Sequence, residues 1–289
     1  MLSNFPKTIV IDNCGFCNLN CVMCDHKNIL RYRDKRSMDI SLYRKIIKEI
    51  SVENKNARVW EIFFGEPCLC KDMSSRIKEA KEAGLNDVVL NSNGVLLTDG
   101  KSRSYIESGL DCMYVGLDAI TESTYDLMRV GGDFKKVVKN ILLYRDNLQK
   151  FGTTKQKLFV QFIEGKYNAH EKSEFVERWY NQGVEVKVRS MLGWAGLLGS
   201  SPIADFSNRK PCYWIQDTMV VCSNGCVPLC ACDVHCRVEC GNLNNSTMKE
   251  VWGGKLKTYR EYHINNEWDK IPDICKSCTD WVFGRAEYA

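Results

Sequence analysis

The chain has 289 residues, 44% of them hydrophobic, which is enough for one barrel-sized domain and a smaller second one. The formal charge of +4, with bases dispersed among acids, argues against nucleic-acid binding. No run of about 18 apolar residues exists, so no membrane span is predicted. The N-terminus lacks the apolar core of a signal peptide, and we therefore expect a cytoplasmic protein.

The first two thirds of the chain alternate between strand-like and helix-like patterns. The predicted strands are Lys7–Asp12, Arg58–Phe64, Asp87–Leu90, Cys112–Leu117, Lys157–Ile163 and Glu185–Arg189. The predicted helices are Ile40–Val52, Ser74–Glu82, Lys101–Ser108, Thr121–Met128, Phe134–Gln149 and Glu171–Gln182. Six β–α repeats with short connections predict an α/β fold with a parallel sheet and helices outside it.

The last third differs in composition, and we predict two domains, over residues 1–200 and 201–289. In the second, Thr218–Cys222 and Cys226–Leu229 are predicted to form a hairpin. Met248–Glu261 is predicted to be a helix. This segment is too small to be stable through apolar burial alone, so we expect it to need a bound metal.

Sixteen cysteines in a chain without an export signal indicate metal or cluster binding, because disulfides are rare in reducing cytosol. Thiolates are ligands of zinc and of iron–sulfur clusters. Cys17, Cys21 and Cys24 form a CxxxCxxC group after the first predicted strand. The group is one ligand short of a closed site, unless Cys14 completes a zinc site.

Short polar motifs follow the other strands, at the edge where parallel α/β proteins carry their chemistry. Gly65-Glu66-Pro67 follows the second strand and Asn91-Ser92-Asn93-Gly94 the third. Asp118 follows the fourth, and Arg189 ends the sixth. Each motif has a structural alternative: an ordinary turn for the first two, and a helix N-cap for Asp118.

Together the cysteine group and these motifs resemble the radical S-adenosylmethionine (SAM) family. The resemblance implies a partial (β/α)6 TIM-like barrel in which Cys17, Cys21 and Cys24 hold a [4Fe–4S] cluster whose open iron binds SAM. The residues implied to contact SAM or to lie near the substrate are Gly65, Glu66, Ser92, Asn93 and Asp118. Members of the family make a 5′-deoxyadenosyl radical with an electron from an external reductant, flavodoxin or ferredoxin.

The C-terminal cysteines, with Gly241-Asn242-Leu243 and Glu250-Val251-Trp252, resemble the SPASM/twitch extension of that family. The spacing is similar to the one-cluster form of twitch-type aminocyclitol dehydrogenases, of the kind known from butirosin biosynthesis. The ligands implied for an auxiliary [4Fe–4S] cluster are Cys212, Cys230, Cys275 and Cys278. A structural zinc ribbon is the alternative.

Five cysteines are not needed by that pattern, namely Cys222, Cys226, Cys232, Cys236 and Cys240. They are candidates for another metal site, for a thiol that donates hydrogen to a substrate radical, or for small buried residues. For the hydrogen donor we favour Cys232 and Cys236.

The resemblance implies two-electron oxidation of a hydroxylated small molecule, an aminocyclitol or sugar alcohol, to a ketone, with the auxiliary cluster as electron acceptor. Arg189 is expected to act as base or substrate anchor, with Gln161, Glu164 and Trp194 in the same mouth. A radical SAM epimerase of a sugar or peptide is the nearest alternative. A non-catalytic zinc or iron–sulfur protein is an alternative of another class.

Overall fold

The structure is a computed structural model that describes residues 2–26, 28, 37–200 and 204–283. Its centre is a seven-stranded parallel sheet with strand order β6-β5-β4-β3-β2-β1-β7. The strands are β1 (Thr8–Ile11), β2 (Arg58–Trp60), β3 (Asp87–Ser92), β4 (Cys112–Gly116), β5 (Lys157–Glu164), β6 (Glu185–Ser190) and β7 (Thr218–Val221). The α/β partial barrel predicted from the sequence is confirmed.

Helices follow the strands of the sheet in each repeat. They are α1 (Ile40–Glu53), α2 (Met73–Glu82), α3 (Asp99–Glu107), α4 (Glu122–Met128), α5 (Phe134–Phe151) and α6 (Lys172–Asn181). Four of them begin at a side chain that accepts a backbone N–H of the first turn: Asp39, Thr98, Thr121 and Asp133. Thr121 therefore caps α4, and the N-cap alternative for Asp118 is wrong.

The strands place apolar side chains on both faces of the sheet, because successive side chains point in opposite directions. In β4, Met113 and Val115 join the large core beneath the helices. Cys112 and Tyr114 alternate with them and join a small inner cluster around Trp60. Burial on both faces is typical of a parallel sheet covered by helices.

The hairpin predicted in the C-terminal segment is wrong, because its two strands do not pair with each other. Thr218–Val221 pairs in parallel with β1, so it extends the barrel sheet rather than pairing with the next strand. That next strand, β8 (Cys226–Pro228), pairs in antiparallel fashion with β9 (Glu239–Asn242). All four residues of β7 are buried, and this pairing also covers the open edge of β1.

The helices of this segment are α7 (Tyr213–Gln216), α8 (Met248–Gly253), α9 (Lys255–Ile264) and α10 (Asp273–Lys276). The single helix predicted over Met248–Glu261 is two helices, because the backbone leaves the helical conformation at Gly254. The second strand also ends early, at Trp60 instead of Phe64.

The domain boundary at residue 201 falls outside the described residues, so the division into 1–200 and 201–289 stays a prediction. Among the described residues, no helix has the length and apolar character needed to cross a membrane.

A buried polar network fixes the chain on both sides of the cysteine group. The Arg76 guanidinium donates to Asn13 Oδ1 at 3.0 Å and to the Met38 carbonyl at 2.8 Å. Tyr43 donates its hydroxyl to Glu61 Oε1 at 2.7 Å, and the Asn13 amide donates to the same carboxylate. Asn13 precedes the cysteines and Met38 follows them, so one network holds both ends of the loop.

The pH dependence of stability tests this network. Burial raises the pKa of Glu61 from 4.5 to about 7. The folded protein therefore holds this proton more tightly than the unfolded chain, and the stability it contributes is complete below pH 4.5 and lost as the pH rises through about 7. We expect wild-type protein to lose stability relative to Glu61→Gln across that range, in urea titrations followed by tryptophan fluorescence.

Glu79→Gln is the matched control. The Arg44 side chain lowers the pKa of Glu79 through a hydrogen bond, so the contribution of Glu79 is lost as the pH falls, the opposite sign. Parallel stability curves for wild type and Glu61→Gln would contradict the raised pKa.

Candidate active site

A cavity of about 570 Å³ opens where the barrel strands end. Its wall combines the cysteine loop after β1 with the ends of β2, β3, β5 and β6. The predicted residues on this wall are Cys17, Cys21, Cys24, Gly65, Glu66, Ser92, Asn93, Gln161, Glu164, Arg189 and Trp194. The structure thus brings to one cavity the motifs that the sequence placed after separate strands.

Two N–H donors point at the sulfur atoms of the cysteine loop. The Asn93 amide lies 3.8 Å from Cys17 Sγ, and Arg129 Nη1 lies 3.9 Å from Cys21 Sγ. Such N–H contacts to sulfur are typical of cysteines that ligate iron–sulfur clusters. Cys14 does not line the cavity; it is buried in the core instead.

Burial raises the pKa of the Cys17 thiol to about 11 and that of Cys24 to about 12. These thiols become thiolates only when a cation replaces their protons, as in metal binding. Among the described residues, no three His, Cys, Asp or Glu side chains converge on one ion position. A [4Fe–4S] cluster does not need such convergence, because each thiolate binds a different iron, so the donor set fits a cluster.

Gly65 lies against the cysteine loop. A Cβ atom on Gly65 would stand 1.7 Å from the Cys14 carbonyl oxygen, so only glycine allows this approach. The next residue, Glu66, donates its backbone N–H to the Phe16 carbonyl at 2.7 Å. The turn after β2 therefore holds the loop that carries the cysteines.

The Glu66 carboxylate is fully buried and joins the turns after β2 and β3. It accepts from Ser92 Oγ at 2.7 Å, from the Asn93 backbone N–H at 2.8 Å and from the Cys68 backbone N–H at 3.0 Å. Burial raises the pKa of this carboxyl, and the three donors oppose the shift. Glu66, Ser92 and Asn93 form one hydrogen-bonded unit at the cavity wall.

Asp118 has a different position from that of the other candidates. It is fully buried, has φ +62°, and is absent from the residues that line the cavity. Its carboxylate accepts from Arg129 Nε at 2.6 Å and from the Ile163 backbone N–H at 2.6 Å. Its observed contacts orient Arg129, which does line the cavity and reaches Cys21.

Arg129 is a residue whose importance the sequence did not reveal. A Cβ on Gly116 would lie 1.9 Å from Arg129 Nη2, so the guanidinium packs directly on that glycine. The signal in the sequence is Arg129-Val130-Gly131-Gly132, which resembles an element of the radical SAM family but does not by itself indicate a role for the arginine. The contact with Cys21 depends on the folded chain.

Arg189 lines the cavity and lies over two aromatic rings. Its guanidinium carbon is 5.5 Å from the centre of the Trp60 ring and 5.3 Å from that of Tyr114. Gln161 is 3% exposed, and its Oε1 atom has no hydrogen-bond partner among the described residues. Glu164 forms an ion pair with Lys172 at 2.9 Å. Gln161, Glu164 and Arg189 all line this cavity, and their roles toward a substrate stay predictions.

A second, smaller pocket lies in the C-terminal segment. The cysteines on its wall are Cys212, Cys230, Cys232, Cys275 and Cys278. Arg209, His263 and Asp280 line it as well. Burial raises the pKa of every thiol in the predicted ligand set for which a shift is resolved, to about 12 for Cys212. Four thiols in one buried pocket suit a fully ligated cluster.

The two candidate hydrogen donors are not at the first cavity. Cys232 is fully buried in the second pocket, where its thiol forms a hydrogen bond with Cys230. Cys236 lies with its sulfur against that of Cys226, and their Cα atoms are 7.6 Å apart. Neither residue is on the wall of the cavity that holds Cys17, Cys21 and Cys24.

The fold and the first cavity define a parallel α/β barrel protein with a three-cysteine cluster loop at the carboxyl ends of its strands. Residues 14–155 match the sequence model of the Radical SAM superfamily. The chain contains a radical SAM domain, as the sequence motifs predicted. This family uses a [4Fe–4S] cluster and SAM, takes small-molecule substrates and depends on an external reductant.

Two curated relatives illustrate the range of the superfamily. The tungsten-containing aldehyde ferredoxin oxidoreductase cofactor-modifying protein of Pyrococcus furiosus is 25% identical over 191 residues, 64% of this chain and 51% of that protein. A probable GTP 3′,8-cyclase of Methanococcus maripaludis is 33% identical over 125 residues, 43% of this chain and 41% of that protein. The chain spans about half the length of the curated relatives it matches.

Solved structures share the fold over nearly the whole chain. BtrN in complex with AdoMet and 2-DOIA superposes with a TM-score of 0.67 and 18% identity, over 96% of this chain and 94% of BtrN. Streptococcus suis SuiB bound to precursor peptide SuiA gives a TM-score of 0.73 and 14% identity, over 96% of this chain and 70% of SuiB. These likenesses establish the fold.

The close approach of Gly65 to the cysteine loop gives a test by substitution. In Gly65→Ala the new Cβ displaces the Cys14 carbonyl, so we expect a lower urea midpoint and less iron after anaerobic reconstitution. Gly100→Ala is the matched control, since no atom lies within 4 Å of its Cβ and the position is helical. Equal iron content in Gly65→Ala and Gly100→Ala would contradict this role of Gly65.

Proposed function

We propose that this protein is a radical SAM oxidoreductase that oxidises a hydroxyl-bearing carbon of a small molecule, an aminocyclitol or sugar alcohol, to a ketone. The observation that carries the proposal is the second pocket, which gathers the four cysteines predicted as ligands of an auxiliary [4Fe–4S] cluster. Oxidation of an alcohol releases two electrons, and a second cluster provides an acceptor within the same chain. The fold likeness to BtrN supports the proposal.

When bound, the first cluster and SAM would supply hydrogen-atom abstraction, and an auxiliary cluster would supply an acceptor for the remaining electron. The chain's own residues bind and orient these groups. Cys17, Cys21 and Cys24 would hold the first cluster, and Gly65–Glu66 with Ser92 and Asn93 would face SAM. Asp118 would orient Arg129, which reaches Cys21 of the first cluster loop. The Glu66 carboxylate already uses both oxygens in fixing the loop, so its contribution is to position backbone groups.

The substrate side of the cavity suits a polar molecule with hydroxyl or amino groups. The buried Gln161 Oε1 is an acceptor in need of a donor. Arg189 serves as an anchor rather than a base, because a guanidinium keeps its proton. Glu164 is the carboxylate on the wall best suited to accept the hydroxyl proton.

The distribution of thiols favours oxidation over epimerisation. A thiol-dependent epimerase needs a cysteine that faces the substrate carbon and donates hydrogen to it. Among the described residues, the cysteines that line the first cavity are the three proposed cluster ligands. Cys232 and Cys236 keep their place as predicted donors only if the chain rearranges to bring one of them into that cavity.

Iron counting tests the two-cluster assignment and the alternative of a zinc protein. We expect about eight irons and eight sulfides per chain after anaerobic reconstitution, and about four in the Cys275→Ala/Cys278→Ala variant. That variant is expected to keep reductive cleavage of SAM to 5′-deoxyadenosine, whereas Cys17→Ala is expected to lose it.

Cys112→Ala is the control, because Cys112 is buried in the inner barrel cluster and lines neither pocket. Zinc without iron would overturn the proposal. About four irons per chain in wild-type protein would contradict the assignment of an auxiliary cluster.

Product analysis in deuterium oxide separates oxidation from epimerisation. Reduced holoenzyme with SAM is incubated with a panel of aminocyclitols and sugar alcohols. We expect a ketone without solvent deuterium on carbon, and loss of the product in Cys275→Ala/Cys278→Ala. Solvent deuterium at an inverted carbon, with stoichiometric consumption of SAM, would overturn the oxidation and support the epimerase.

A further inference from the structure

His263 is a buried histidine whose ring nitrogens have no hydrogen-bond partner in the described part of the protein. It lies in the last turn of α9 and is 1% exposed. Among the described residues, neither its Nδ1 nor its Nε2 atom has a hydrogen-bond partner. The ring meets the Trp268 ring edge to face, with centroids 5.8 Å apart. A buried N–H without an acceptor is uncommon in folded proteins, and its partner is often a bound group.

The surroundings of His263 point to the second pocket. The imidazole lines this pocket together with the five cysteines, and Arg209 stands beside it. Burial, aided by the Arg209 charge, lowers the pKa of His263 to about 4. At neutral pH the ring is therefore uncharged and carries one N–H donor and one acceptor nitrogen.

Several other polar groups of the pocket form hydrogen bonds within the protein. The Cys232 thiol is hydrogen-bonded to Cys230. Asp280 accepts the backbone N–H groups of Gly193 and Ala195, both at 2.7 Å. Arg209 Nη2 donates to the Cys275 carbonyl at 2.7 Å. Among the described residues, the imidazole of His263 lacks an acceptor, as do Arg209 Nε and the indole N–H of Trp281, so a ligand of this pocket has to offer acceptors.

We infer that His263 donates its ring N–H to a sulfur atom of the auxiliary [4Fe–4S] cluster. The inference rests on the proposed function, because it requires that cluster. The four cysteines complete the coordination of the irons, which leaves sulfur as the acceptor within the pocket. His263 is thus a positioning residue for the cluster and not one of its ligands.

The hydrogen bond has a consequence for electron transfer. An N–H donor stabilises the reduced cluster more than the oxidised one, because the reduced cluster carries more negative charge on its sulfurs. The reduction potential is therefore higher with the hydrogen bond than without it. A higher potential makes the cluster a better electron acceptor, as the oxidation of an alcohol requires.

Pulsed electron paramagnetic resonance on the full chain tests the inference. The Cys17→Ala/Cys21→Ala/Cys24→Ala variant is reconstituted anaerobically and reduced, so that its signal comes from the auxiliary cluster alone. Protein grown with 15N-histidine is compared with unlabelled protein. We expect a weak nitrogen coupling from histidine, which is lost in His263→Phe and His263→Gln but kept in His170→Gln, where the histidine is exposed.

Redox titration of the same samples gives the second readout. We expect His263→Phe, which keeps the packing against Trp268, to lower the midpoint potential. His263→Gln, which restores an N–H donor, should recover most of that shift. Iron content should stay at about four per chain in the triple cysteine variant and in its His263→Phe and His263→Gln derivatives.

The outcomes separate the inference from the function on which it rests. A cluster without histidine coupling, or with an unchanged potential in His263→Phe, would overturn the hydrogen bond and leave His263 as a packing residue. A strong coupling would mean direct ligation by the imidazole, which also overturns the inference. Absence of iron from the triple variant would instead overturn the auxiliary cluster and with it the proposed function.

Discussion

The buried carboxylate of Glu66 is the constraint on which the first site depends. Its two oxygens accept from Ser92 and from the Asn93 and Cys68 backbones, while its own N–H holds the Phe16 carbonyl in the cysteine loop. Loops after three strands are therefore tied to one residue. A carboxylate buried with fewer donors would cost several kcal/mol, so the hydrogen bonds and the loop positions require each other.

The C-terminal segment is joined to the barrel by buried polar contacts as well as by β7. His235 Nε2 lies 2.9 Å from Asp25, the residue after Cys24. Trp194 donates its indole N–H to the Met23 carbonyl at 2.8 Å and packs on Phe64. The next residue, Ala195, is held by Asp280. One loop thus contacts the cysteine group on one side and the second pocket on the other.

The sequence predicted the parts of the fold that local pattern determines. Strand and helix alternation gave the barrel, and the position of motifs after strands gave the cavity wall. The break at Gly254 and the pairing of β7 were missed. The first depends on the backbone conformation of Gly254, and the second on an open edge of β1 that only the assembled sheet presents. The role of Arg129 was not predictable because Cys21, whose sulfur it reaches, lies 108 residues away, and that of His263 because the pocket it lines is assembled from distant segments.

The two pockets share a wall, and this bears on the proposed chemistry. Trp214 lines both of them, while Trp194 lines the first and its neighbour Ala195 the second. Apolar rings at such a boundary exclude water, which protects a radical from side reactions. The thiols are divided by the same wall, three in the first cavity and five in the second pocket. Hydrogen-atom abstraction and electron acceptance would then take place in separate compartments of one chain, which suits a substrate oxidised in two one-electron steps.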